Sequence, residues 1–113
     1  MNKPNLAAFD AANYLLILVD REAVDSINHL RLQKLLYFTQ GVSLALTGKI
    51  LFKETIKALP YGPVVKSVFS QYKVFDNGTI PQPAEIDFSI YSEAAKAIIY
   101  KAYSLYGDAL QRI

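Results

Sequence analysis

The stretch HLRLQKLLYFTQGVSLALT, residues 29–47, decides the reading of this chain. Projected at 100° per residue, Leu30, Tyr37, Gly41 and Leu44 share one face. Leu35, Val42 and Leu46 share a second, and Leu32, Leu36 and Ser43 fill a third. A helix that is apolar nearly all round is a central one, covered by neighbours on several sides. Gly41 inside it costs about 1 kcal/mol relative to alanine, which suggests that another backbone approaches closely there. Asn28, or Ser26 before it, is the expected cap, and Gly48 the stop.

Before this helix, residues 5–20 predict another. Pro4 and Asn5 sit where a starting proline and a polar cap belong, and Ala7, Ala8, Ala11 and Ala12 favour helix. Leu6, Phe9, Asn13, Leu16 and Ile17 fall on one face, with Asn13 its one polar member. Residues 20–28 read as the connection, with a helical turn open over 22–27. After the central helix, FKETIKAL (residues 52–59) alternates weakly and predicts a short strand or extended segment. Pro60-Tyr61-Gly62-Pro63 then turns the chain into a helix over 64–75 that buries Val65, Val68, Phe69 and Tyr72. Residues 76–84 (DNGTIPQPA) are dense in turn formers. Ile86, Phe88 and Ile90 alternate with Asp87 and Ser89, the pattern of a half-buried strand that would pair near Thr55. Ser92 caps a last helix running to about Tyr106, with Ala95, Ile98, Ala102 and Leu105 as its inner stripe and Gly107 as its break. The fold class expected is mainly α: a compact helical domain around a central buried helix, with one or two short strands.

Composition narrows the function classes. One hundred and thirteen residues suit one domain, and 52% of them are hydrophobic, enough to form a core. Only 19% are charged, which fits either a surface that meets a partner or a tightly packed small domain. Net charge is +2 with no run of three basic residues, whereas nucleic-acid binders of this size carry a dense basic stripe. The scattered Lys49, Lys53, Lys57, Lys66 and Lys73 are what a nucleic-acid-binding regulator would have to use. The chain has no cysteine, so disulfides and thiolate metal sites are excluded. No secretory signal is visible, and the apolar run Tyr14 to Val19 is too short to span a bilayer. A cytoplasmic location without membrane association is expected.

No catalytic, cofactor or metal site is predicted. His29 is the single histidine, expected to be solvated or capping at its helix start. The glycines stand singly, so no phosphate loop is present. Three features remain. Gln33 and Gln40 lie seven apart on the central helix, beside Tyr37, and mark either its solvent strip or a buried polar network or partner face. Lys34 projects near Leu30 and Gly41, a poor place for a charge unless it pairs or reaches solvent. The P-Y-G-P turn is either a plain corner or a device presenting Tyr61 as an aromatic anchor. The candidate partner-binding residues are therefore Tyr61, Gly62 and Pro63, with Gln33, Tyr37 and Gln40 behind them.

The stretch LRLQKLLYFTQGVSLALTGKILF (residues 30–52), the YGPVV of residues 61–65 and the helix after them resemble the Panacea domain, also called SocA-like or GepA-like, a bacterial and phage-associated family. The resemblance covers Asn13 to about Phe75 well and Ser92 to Leu110 loosely. Members usually carry an aromatic and then a histidine after the Q-G, where this chain has Val42 and Ser43. They often have a tryptophan before Y-G-P, where Leu59 stands. They also usually continue into a segment with Thr-His and Pro-Trp pairs, beyond where this sequence stops at Ile113. The single domain expected over residues 1–113 is then either a short variant or lacks that segment. The resemblance implies an antitoxin that neutralises a cognate protein toxin by direct contact, in a bacterial or prophage locus. It also implies an alternative, an adaptor that delivers the toxin to a protease. A homo-oligomer is left open.

Overall fold

Two carboxylates start the first helix, α1 (Ala8–Leu18). Asp10 accepts from the Ala7 N–H at 3.1 Å and Glu54, far along the chain, accepts from the Ala8 N–H at 2.9 Å. Both sit where exposed amide donors and the helix dipole favour negative charge. These bonds belong to a computed structural model that describes residues 6–19, 27–60, 62–75, 80–83 and 85–111, with side chains through residue 106. Pro4, Asn5, the turn expected over 22–27 and Tyr61 lie outside the described residues.

Helix α2 (His29–Thr47) follows, capped by the Asn28 side chain, which accepts from the Arg31 N–H at 2.9 Å. It ends at Gly48, whose φ of 73° is the left-handed conformation that closes helices and suits glycine. The chain then returns alongside α2, and Leu6 makes an isolated parallel bridge to Phe52. Strands β1 (Lys57–Leu59) and β2 (Gly62–Val64) form a short antiparallel hairpin with Leu59 opposite Gly62 and Lys57 opposite Val64. Helix α3 (Lys66–Tyr72) runs on into a 3-10 turn over Lys73–Phe75. A second 3-10 turn, Phe88–Ile90, precedes α4 (Glu93–Gln111). Among the described residues the fold is thus four α-helices and one two-stranded hairpin. Helix α2 packs against α4, β2, α1 and α3, so it is central, as its sequence predicts.

The core lies between these helices. Leu15 and Leu16 from α1, Leu32, Leu35 and Leu36 from α2, Phe52, Val68 and Ile99 are all buried in it. Polar bonds cross it at two points: the Tyr72 hydroxyl donates to Asn13 Oδ1 at 2.8 Å, and the Tyr91 hydroxyl donates to the Asp10 carbonyl at 2.7 Å. The polar member of the α1 face is therefore the tie between α1 and α3.

Several expectations are corrected. Helix α2 is not covered all round: Leu30, Tyr37, Leu44 and Leu46 are exposed, while Gln33, Thr39, Gln40 and Ser43 are buried. Gly41 is exposed, and a Cβ there would meet nothing within 4 Å, so no backbone approaches it. The helix expected from residue 64 starts at Lys66, because Val64 pairs in the hairpin and the Val65 N–H is taken by Gln33. The strand expected over residues 86–90 is a 3-10 turn. There Asp87 Oδ1 accepts from both the N–H and the hydroxyl of Ser89, at 3.0 and 2.6 Å, a local alternative to a strand ladder. The last helix is capped by Ser92 as expected, its Oγ accepting from the Ala95 N–H at 3.0 Å. It does not break at Gly107, and its buried stripe turns through Ala95, Ile98, Ile99 and Ala102 to half-buried Tyr106, leaving Leu105 outside.

Candidate functional site

The sequence singles out six residues; of the five that the structure describes, Gln33 and Gln40 are buried, Tyr37 is exposed, and Gly62 and Pro63 are half-buried. Gln40 is interior. Its Oε1 accepts from the N–H groups of Leu51 and Phe52 at 2.7 and 3.3 Å, and its Nε2 donates to the Phe52 carbonyl at 2.8 Å. One side chain therefore satisfies three buried backbone groups, each costly to leave unpaired. Ser43, one turn on, donates to the Lys49 carbonyl at 2.8 Å. Together they pin the returning chain onto α2.

Gln33 does the same two turns earlier. It is 2% exposed, and its Oε1 accepts from the Val65 N–H at 2.8 Å, fixing the joint between β2 and α3. Among the described residues its Nε2 has no hydrogen-bond partner, nor has either ring nitrogen of His29, one turn away on the same helix. His29 is buried, with its ring centroid 4.5 Å from that of Phe69, so the expectation of a solvated or capping histidine is corrected. Burial lowers its pKa below the ordinary 6.5, because the charged imidazolium would lose its hydration there. Of the readings open for the glutamines, the buried polar network is the one found. Gln33 can act at a surface only through the segment it holds, whereas Gln40, though buried, also lines the groove beside Tyr37.

Tyr37 is outside, 59% exposed. It borders a shallow groove of about 470 Å³ with Gly41, Leu44 and Ala45 of α2 as one wall and Ile56 of the returning chain as the other. The lining is mostly apolar. Toward the start of α2, Lys34 is exposed and its stem reaches the hairpin: a Cβ built on Gly62 would lie 3.8 Å from Lys34 Cε. Gly62 itself has φ 130°, a conformation that side chains rarely adopt. Gly62 and Pro63 are half-buried at this end of the groove's helix. The sequence pattern had put Leu30, Tyr37, Gly41 and Leu44 on one face, but their apolar character placed that face inside. The signal that would have exposed it was Lys34 on the same side.

Among the described residues no three His, Cys, Asp or Glu side chains gather as a metal site requires, and no described helix is long and apolar enough to cross a membrane. What the arrangement offers is an uncovered apolar helix face on a rigidly clamped support.

Comparison with known proteins gives one finding. No curated protein and no solved structure matches the chain significantly. A family model does, over residues 32–109, from the first leucine after Arg31 to the last turns of α4. The matched range takes in both glutamine clamps, the Ser43 anchor, the hairpin and α3. The chain belongs to the family described as antitoxin SocA-like, Panacea domain.

Proposed function

We propose that this protein is the antitoxin of a toxin–antitoxin pair, and that it silences a cognate protein toxin by stoichiometric contact rather than by catalysis. Family membership supports the class of partner. The observation that carries the mode of action is the exposed apolar face of α2, where Tyr37, Leu44 and the groove before Ile56 are left uncovered by the fold. Contiguous apolar surface ringed by polar residues is what protein interfaces use, with aromatic anchors supplying much of the energy. In this proposal the contact surface is Tyr37, Gly41 and Leu44, continued by Gly62 and Pro63 of the hairpin. Tyr61 stays in the proposal on its sequence position alone, and Gln33 and Gln40 act behind the surface as its supports.

The test is neutralisation in cells of the growth-inhibiting product of the adjacent gene. Gly41→Arg places a long side chain in the groove where nothing stands within 4 Å, so it should leave the fold intact and abolish rescue. Rescue at wild-type level by a folded Gly41→Arg, Tyr37→Ala variant would remove this face from the reading. Toxin half-life, followed in the same cells, separates occlusion from delivery to a protease: occlusion leaves the toxin present and silent, delivery removes it.

A further inference from the structure

The charges of this chain are segregated along it, and the basic part is the stretch that contains the groove's lining residues. Residues 29–75 hold seven Lys and Arg against Glu54 alone, a balance of +6, while the remainder holds five against nine Asp and Glu, a balance of −4. Glu54 is already engaged, its carboxylate accepting from the Ala8 N–H at 2.9 Å. Helix α2 contains no acidic residue. Lys34 lies one turn before Tyr37 on the same helix face, and Lys53 and Lys57 flank the lining residue Ile56 in sequence. All three lysines are exposed, and none is in a salt bridge among the described residues. The groove is therefore a mostly apolar floor, with exposed lysines close along the chain to the lining residues of both its sides.

From these observations we infer that the occupant of this groove is an acidic amphipathic helix of the partner protein, with apolar residues in the groove and Asp or Glu side chains over Lys34, Lys53 and Lys57. The inference rests on the antitoxin reading and names the chemistry that reading leaves open. The length agrees: Lys34 to Leu44 spans ten steps of a helix, about 15 Å at 1.5 Å per residue, enough for about three turns of a partner helix. Gly41 and Ala45 keep that wall low, so that two helix axes can come within about 8 Å. A second copy of this chain is a poorer occupant, since a two-fold contact through this face sets lysines against lysines, with Glu54, already bonded to the Ala8 N–H, as the one acid of residues 29–75. Nucleic acid is poorer too, because the lysines are separated by aliphatic ground instead of forming a continuous track for phosphates.

The experiment uses the full chain co-purified with the adjacent gene's product and a carbodiimide that couples lysine directly to a carboxylate within contact distance. The expected result is cross-links from Lys34, Lys53 or Lys57 to Asp or Glu residues within one helical segment of the partner. The triple variant Lys34→Glu, Lys53→Glu, Lys57→Glu should fold, and should associate about tenfold more slowly at low salt with a weaker salt dependence. A stable complex in which these lysines form no cross-link, or whose association the triple variant does not slow, overturns the inference and leaves the antitoxin reading standing. Cross-links between copies of this chain through these lysines, or displacement of the partner by a 20-nucleotide RNA, would assign the face to a dimer or to nucleic acid and overturn it equally. If the two proteins form no complex and rescue fails, the antitoxin reading falls first, and this inference with it.

Discussion

Gln40 grips the Phe52 peptide from both sides, its Oε1 accepting from the N–H at 3.3 Å and its Nε2 donating to the carbonyl at 2.8 Å. The same Oε1 accepts from the Leu51 N–H at 2.7 Å. Gln40→Leu keeps the volume and removes every bond, leaving three buried backbone groups unpaired at about 1–3 kcal/mol each. We expect a loss of about 3 kcal/mol or more in denaturant unfolding. A loss below about 1 kcal/mol would mean that the 49–52 segment is held by packing alone.

Two glycines, Gly41 of α2 and Gly62 of β2, should respond oppositely to alanine. Gly41 is exposed in the middle of a helix with nothing near its Cβ position, so Gly41→Ala should stabilise by about 1 kcal/mol through helix propensity. Gly62 has φ 130°, so Gly62→Ala should destabilise by about 1–3 kcal/mol through backbone strain. Thermal melts of the two single variants, compared with wild type, check both signs at once.

His29 makes stability fall in mild acid. Its pKa is lowered from 6.5 by burial, so the unfolded chain binds the proton more readily than the folded one. The contribution is full above about pH 6.5 and is lost as pH drops toward the lowered folded value. Denaturant midpoints taken at about pH 7.5 and about pH 5.5 should therefore differ for wild type and differ less for His29→Leu. An unchanged difference in the variant would shift the effect to the carboxylates.

Tyr72 contributes to a loss of stability in alkali. Burial pushes its hydroxyl up to about 12 while it donates to Asn13 at 2.8 Å. The unfolded chain loses that proton near 10, so stability declines as pH rises from about 10 toward 12. Tyr72→Phe should cost about 1 kcal/mol at neutral pH and flatten part of the alkaline decline. Tyr91, also raised by burial, accounts for a further part. Equal alkaline slopes in wild type and variant would rule Tyr72 out.

The helices were legible because α1, α2 and α4 announce themselves by local means: alanine content, the Asn28 and Ser92 caps, and the Gly48 stop. The burial of α2 was not legible, for a physical reason. Hydrophobic periodicity assumes that polar side chains face water, whereas Gln33, Gln40 and Ser43 face inward, each bonded to backbone far along the chain. Once three polar residues are used inside, Leu30, Tyr37 and Leu44 are turned outward. The 86–90 segment failed differently: its alternation suits a strand, but Asp87 captures Ser89 locally before any ladder can form. Of the site, Tyr37, Gly62 and Pro63 were visible as unusual residues, while Leu44, Ala45 and Ile56 gain meaning only when the returning chain is laid beside α2.

The clamps made by Gln33, Gln40 and Ser43 read only peptide groups, never the side chains of the segments they hold. A peptide group is the same whichever residue supplies it, proline's missing N–H aside. The returning stretch from Lys49 to Lys57 can therefore exchange its outward side chains freely, one by one, without loosening from α2. The fold thus has a fixed bracket whose outward face can change in sequence while the peptide groups it holds stay in place.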